Sequence, residues 1–161
     1  MKKVRQNVFE TNSSSTHSIC IAKNMELIIP SEIHFGFGEF GWEEDTLNSC
    51  TEKASYLYTG LFANDRYDDA MNLFSVLESK GIKVTHEEPI YGKDSSYAKN
   101  GGYVDHSGEL GSFLNAVCGD ENALMSYLFS PLSFVVTGND NSDCDADTNV
   151  SYEHDEYYKG N

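Results

Sequence analysis

The chain has 161 residues and carries 26 acidic against 11 basic side chains, a formal net charge of −15 at neutral pH. That length suits one domain. Its 39% hydrophobic content, with 10 Tyr and 9 Phe, supplies enough apolar surface for a core and excludes wholesale disorder.

The chain opens with residues that favour extended structure from Val4 to Glu10. His17 to Ala22 follows as a strand with Ile19 and Ile21 on one face. Between them, Thr11-Asn12-Ser13-Ser14-Ser15-Thr16 is a polar, turn-forming run suited to a long hairpin connection. Leu27-Ile28-Ile29 and the alternating Ile33, Phe35 and Phe37 predict two further strands, with Gly36, Gly38 and Gly41 bending the second.

The period then becomes helical. Leu47, Cys50, Ala54, Leu57, Tyr58 and Leu61 form one stripe, with Glu43, Glu44 and Asp45 expected in the first turn, where negative charge complements the helix dipole. Tyr67, Ala70, Met71, Phe74 and Leu77 predict a second helix, capped by Asn64 or Asp65 and ended at Gly81. Ile82 and Val84 predict a strand, residues 86–102 a surface loop, and Tyr103-Val104 a short extended piece.

Leu110, Phe113, Leu114 and Val117 predict a third helix. Ala123, Leu124, Tyr127 and Leu128 predict a fourth, separated from it by Gly119-Asp120 and stopped by Pro131. Leu132 to Thr137 reads as a strand. The expected fold is α+β: a single domain over residues 1–137 with a mostly antiparallel sheet and about four helices packed on it. Residues 138–161 read as an acidic C-terminal tail.

Chemistry concentrates in three polar clusters. Ser13-Ser14-Ser15-Thr16-His17 offers hydroxyl and backbone donors to a phosphate or carboxylate, beside an imidazole able to serve a serine nucleophile. Asp105-His106-Ser107 and Asn139-Asp140-Asn141 each follow an extended segment, where sites often assemble. Convergence of Ser15, His17, Asp105 and His106 would suit a phosphate- or nucleotide-directed enzyme. Convergence of His17, His106 and Asp140 would suit metal binding or proton movement. Each cluster equally suits the capping of neighbouring turns, and no Gly-rich phosphate loop or GxSxG elbow accompanies them.

Cys20, Cys50, Cys118 and Cys144 form no CxxC pair, and the histidines are as dispersed, so free thiols and no zinc are expected. Asp143-Cys144-Asp145-Ala146-Asp147 imitates half an EF-hand loop, but Thr148 replaces its glycine and His154 its bidentate glutamate. No metal or cofactor is expected.

Charge suggests a different role. The tail carries Asp140, Asp143, Asp145, Asp147, Glu153, Asp155 and Glu156 against Lys159, and the body adds Glu43-Glu44-Asp45, Asp65/Asp68/Asp69 and Glu87-Glu88. Such carboxylates, interleaved with exposed Tyr152, Tyr157 and Tyr158, would imitate nucleic acid on the binding groove of a basic protein. The same composition also serves ordinary solubility. Direct duplex binding is not expected, since phosphate contacts need a positive patch. No run of about 18 apolar residues and no signal-peptide pattern is present, so no membrane association is expected and the expected location is cytoplasmic.

The stretch Val4-Arg5-Gln6-Asn7-Val8-Phe9-Glu10-Thr11-Asn12-Ser13-Ser14-Ser15-Thr16-His17-Ser18-Ile19 resembles the opening of a group of phage and mobile-element proteins of Gram-positive bacteria. The segments at Tyr103–His106 and Ser133–Asp140 are similar to others in that group. The resemblance brings no catalytic role. It implies a bacterial host cell and an inhibitor of a host defence nuclease, of the anti-CRISPR type, with a basic nucleic-acid-binding protein such as a CRISPR nuclease as partner. An accessory protein without chemistry is the remaining alternative.

Overall fold

The computed structural model describes residues 15–23, 26–41, 43–90, 102–139 and 156–160. Its elements in chain order begin with β1 (Ser15–Ile21), β2 (Glu32–Phe35), β3 (Glu39–Phe40) and β4 (Asp45–Leu47). Helices α1 (Cys50–Ala63) and α2 (Tyr67–Ser79) come next, then β5 (Lys83–His86) and β6 (Tyr103–Val104). A 3₁₀ turn (Ser107–Leu110), α3 (Gly111–Gly119), α4 (Glu121–Phe129), β7 (Phe134–Asn139) and β8 (Glu156–Gly160) complete the described residues.

Helix α1 starts at a capping box. The Ser49 hydroxyl accepts the Glu52 N–H, and the Glu52 carboxylate accepts the Ser49 N–H at 3.0 Å. That box corrects the expected start: Asp45–Leu47 pairs as a strand, so Glu43, Glu44 and Asp45 lie outside the helix and Leu47 is buried from β4. Lys53, Ala54, Tyr56, Leu57, Tyr58, Thr59, Gly60 and Leu61 are all buried, so α1 runs through the interior rather than along the surface. Asn64 forms its C-cap and donates to the carbonyls of Gly60 and Ser107. Neither Asn64 nor Asp65 caps α2. Arg66 holds that position without a side-chain capping bond, and Asp65 accepts the Tyr67 hydroxyl instead. The α2 core face is Ala70, Leu73, Phe74 and Leu77, while Met71, expected inside, is exposed. Gly81, at φ +82, follows the C-cap Lys80.

The largest sheet has order β4-β7-β1-β8 and is antiparallel at every pairing. In it His17 stands opposite Thr137, and Ile19 opposite Val135. Two parallel pairs, β2 with β5 and β3 with β6, flank α1. Leu27-Ile28-Ile29 is not a strand; the Ile28 N–H bonds the Phe129 carbonyl while Ile28 and Ile29 face solvent. Part of the acidic C-terminal segment joins the sheet as β8, where Tyr158 is half-buried and meets the Phe113 ring edge-on rather than standing exposed. The helices and sheets share one apolar core running from Ile19 through the α1 tyrosines to Phe113, Tyr127 and Val135, making a single-domain α+β fold. Residues 1–14, which include most of the turn over residues 11–16 with Ser13 and Ser14, and residues 91–101 and 140–155, with the expectations placed on them, lie outside the described residues. No helix among the described residues is long and apolar enough to cross a membrane.

Candidate functional site

The antiparallel register of β1 and β7 sets Ser15 opposite Asn139. Pairing of β6 with β3 carries Asp105 to the same region, where the Asp105 N–H bonds the Phe40 carbonyl. The described members of the three polar clusters therefore approach one another, with His17 at the junction. Asp140 lies outside the described residues.

His17 is fully buried. Its Nε2 lies 2.7 Å from the Asp105 carbonyl oxygen, and its Nδ1 lies 2.9 Å from the Tyr56 hydroxyl. A carbonyl can only accept, so Nε2 carries the proton and donates, leaving Nδ1 to accept from Tyr56. Burial holds the His17 pKa below its ordinary 6.5, against the opposing pull of the Asp105 carbonyl and carboxylate. Burial likewise raises the Tyr56 pKa, so its hydroxyl keeps its proton. The ring is thus neutral with both nitrogens engaged. It joins β1, α1 and the turn after β6, and has no nitrogen available to draw a proton from Ser15.

Gly41 forms the adjacent wall at φ +108. A Cβ there would lie 2.8 Å from the Asp105 Cβ and 3.2 Å from His17 Cε1, so both the backbone conformation and the space require glycine.

The outer layer is polar. The Asp105 carboxylate accepts the Tyr103 hydroxyl at 2.7 Å and lies 3.8 Å from His106 Nε2. His106 Nδ1 is 4.0 Å from Glu109, and its imidazole is exposed. His106 adopts the left-handed conformation at φ 53. Tyr56 and Glu109 belong to this arrangement without having been singled out from sequence, while Tyr103 and Gly41 enter the sequence reading only as strand and bend positions. Tyr56 escaped notice because it sits inside a helix pattern that reads as core. Among the described residues, no group of three or more His, Cys, Asp or Glu side chains is placed to hold a metal ion. Cys20, Cys50 and Cys118 are free thiols.

The acidic candidates occupy three other places. Glu43 and Glu44 lead into β4 and Asp45 begins it, all exposed, with the Glu43 carbonyl accepting the Thr137 hydroxyl. Asp65 and Asp68 are exposed at the corner between α1 and α2, where Asp69 pairs with Arg66 at 2.6 Å. Beyond β5, the Glu87 carboxylate accepts the Phe37 N–H, and Glu88 lies 3.4 Å from His86 Nδ1. Asp143, Asp145 and Asp147 fall outside the described residues. Comparison with protein-family models, curated proteins and solved structures finds no match to this chain.

Proposed function

We propose that this protein is an acidic binding protein that occupies the basic, nucleic-acid-binding groove of a partner, and that the partner is a host defence nuclease of the CRISPR class inhibited by that contact. The observation that supports this reading is the imbalance of outward charge. The lysines and arginines among the described residues are Lys23, Lys53, Arg66, Lys80, Lys83 and Lys159. Lys53 is buried, while Arg66, Lys80 and Lys83 lie against Asp69, Glu121 and Glu32. Exposed carboxylates at Glu43, Glu44, Asp45, Asp65, Asp68 and Glu88 therefore face solvent under a net charge of −15. A field of that sign speeds encounter with a basic groove by roughly 10–10³-fold at low salt.

The test is capture of the host's nuclease complexes by the full chain across a salt titration, with duplex DNA as competitor. Binding that weakens with salt and is displaced by DNA supports the reading. Absence of capture at low salt overturns it. Replacing Glu43, Glu44 and Asp45 by lysine should slow association, whereas replacing Glu121, already paired with Lys80, should change it little. The enzymatic alternative draws support from the meeting of the polar clusters, but His17 is engaged on both nitrogens. Hydrolysis of a phosphate ester that disappears in His106→Ala would favour that alternative.

A further inference from the structure

The segment after β6 is held at both ends by buried side chains, Val104 and Leu110. Between them the chain is half-buried or exposed, and it includes the left-handed backbone of His106. That conformation is unfavourable for a residue with a side chain, so the turn stores strain that other contacts must hold. Among its ties are the Asp105 N–H to the Phe40 carbonyl, the Asn64 amide to the Ser107 carbonyl, and the buried His17 ring to the Asp105 carbonyl. Of these three donors, only His17 carries a side chain that titrates near neutral pH.

We propose that His17 is a protonation-sensitive latch: neutral, it fastens the Asp105–Glu109 turn to the core, and protonated, it lets that turn detach while Val104 and Leu110 stay packed. A proton added to the closed form puts a charge where the ring is 0% exposed. It also turns Nδ1 from acceptor to donor, so the Tyr56 hydroxyl must reverse its hydrogen bond. Lifting the turn admits water to the imidazolium and relieves the His106 backbone. Among the described residues, the titratable groups facing the ring are Tyr56 from α1 and Asp105, His106 and Glu109 from the turn. Asp105 and Glu109 favour the charged ring and His106 opposes it, but burial is the largest influence and keeps the closed ring neutral.

In the open turn, the ring regains an ordinary pKa of about 6.5. The opening equilibrium is therefore flat above that pH and rises toward acid, by at most about tenfold per pH unit for one proton. The neutral-ring stabilisation is complete above about 6.5 and is lost progressively below it.

The experiment is hydrogen exchange on the full chain from about pH 7.5 to about pH 5, corrected for the intrinsic chemical rate. The Asp105 and Glu109 amides report, being bonded to the Phe40 and His106 carbonyls. Their opening constant should rise about tenfold across the range while α1 and β7 amides keep their protection. Tyr56→Phe removes the hydroxyl bonded to Nδ1 in the closed form, so its opening constant should exceed that of the wild type at neutral pH, while the rise toward acid still sets in at about 6.5. An opening constant independent of pH overturns the latch. Loss of protection at Asp105 and Glu109 only together with α1 and β7 overturns it as well, since that describes global acid unfolding. So does a Tyr56→Phe protein whose turn opens no more readily than that of the wild type at neutral pH.

Discussion

Lys53 is a cation in the middle of the fold, 1% exposed. Its Nζ donates to the carbonyls of Ser130 and Ser133 at 2.9 and 3.1 Å, at the C-terminal end of α4, where the helix dipole favours positive charge. Burial lowers its pKa to about 8, while the neighbouring Cys50 and Cys20 thiols pull the other way. In the unfolded chain the value returns to about 10.4. Between those limits the unfolded chain binds more protons, so this group's contribution to stability rises with pH and is lost as pH falls through 8. Lys53→Met lacks that response. Urea midpoints measured from about pH 7.5 to about pH 10 should show the gap widening in favour of the wild type, and parallel profiles would refute the assignment. The tyrosines and cysteines titrate in both proteins and cancel in the comparison. Little of this was readable beforehand, because Lys53 looks like any solvated lysine on a helix. The candidate site was readable only in part. Ser15, His17, Asp105 and Asn139 stood out as local motifs, but the decisive partners of His17 are a core tyrosine and a peptide carbonyl. A peptide carbonyl has no sequence signature, so the ring's engagement became visible only once β1, α1 and β6 were placed together.

At the scale of the element, α1 matters most, since both parallel pairs and the other helices pack around it. Its start depends on Ser49, whose hydroxyl bonds also hold the Glu52 carboxyl below the usual carboxylate range. Ser49→Ala should cost about 1 kcal/mol, and Glu52→Gln should retain most of the box. Urea midpoints near neutral pH distinguish them, and a Ser49→Ala protein as stable as wild type would show that α1 is held by packing alone. The Ser49→Ala deficit should shrink toward acid, because protonation of Glu52 removes the charge-assisted bonds in the wild type. The helices were largely legible because 3.6-residue periodicity is a local property. The errors came where two local rules competed. Leu47 continued the apolar stripe of α1, but the Ser49–Glu52 box ends the helix before reaching it. Met71 and Leu73 flank Ala70, and only the packed neighbours decide which enters the core. Strand β8 was hidden in acidic composition, since its order depends on pairing with β1, far away in sequence. Ile28 and Ile29 carried the residue types of a strand but found no ladder partner among the described strands.

For the whole molecule, the decisive quantity is a net charge of −15, which acts on stability and association with opposite salt dependence. Folding gathers the carboxylates within a smaller volume, and their mutual repulsion opposes the compact state. Salt screens that repulsion, with a Debye length falling from about 10 Å at 0.1 M to about 3 Å at 1 M. It also screens the surface pairs Lys80–Glu121 and Lys83–Glu32, but such pairs contribute only about 0–1 kcal/mol each. With 26 acidic side chains against 11 basic ones, repulsion among the excess carboxylates is expected to outweigh them. Thermal unfolding should therefore shift upward by a few degrees between about 50 mM and about 500 mM NaCl. Over the same range, association with a basic partner should slow, because screening removes the steering field. A melting temperature that falls with salt would show that the ion pairs, not the excess carboxylates, dominate the field. The outward charge would then be too weak to carry partner recognition.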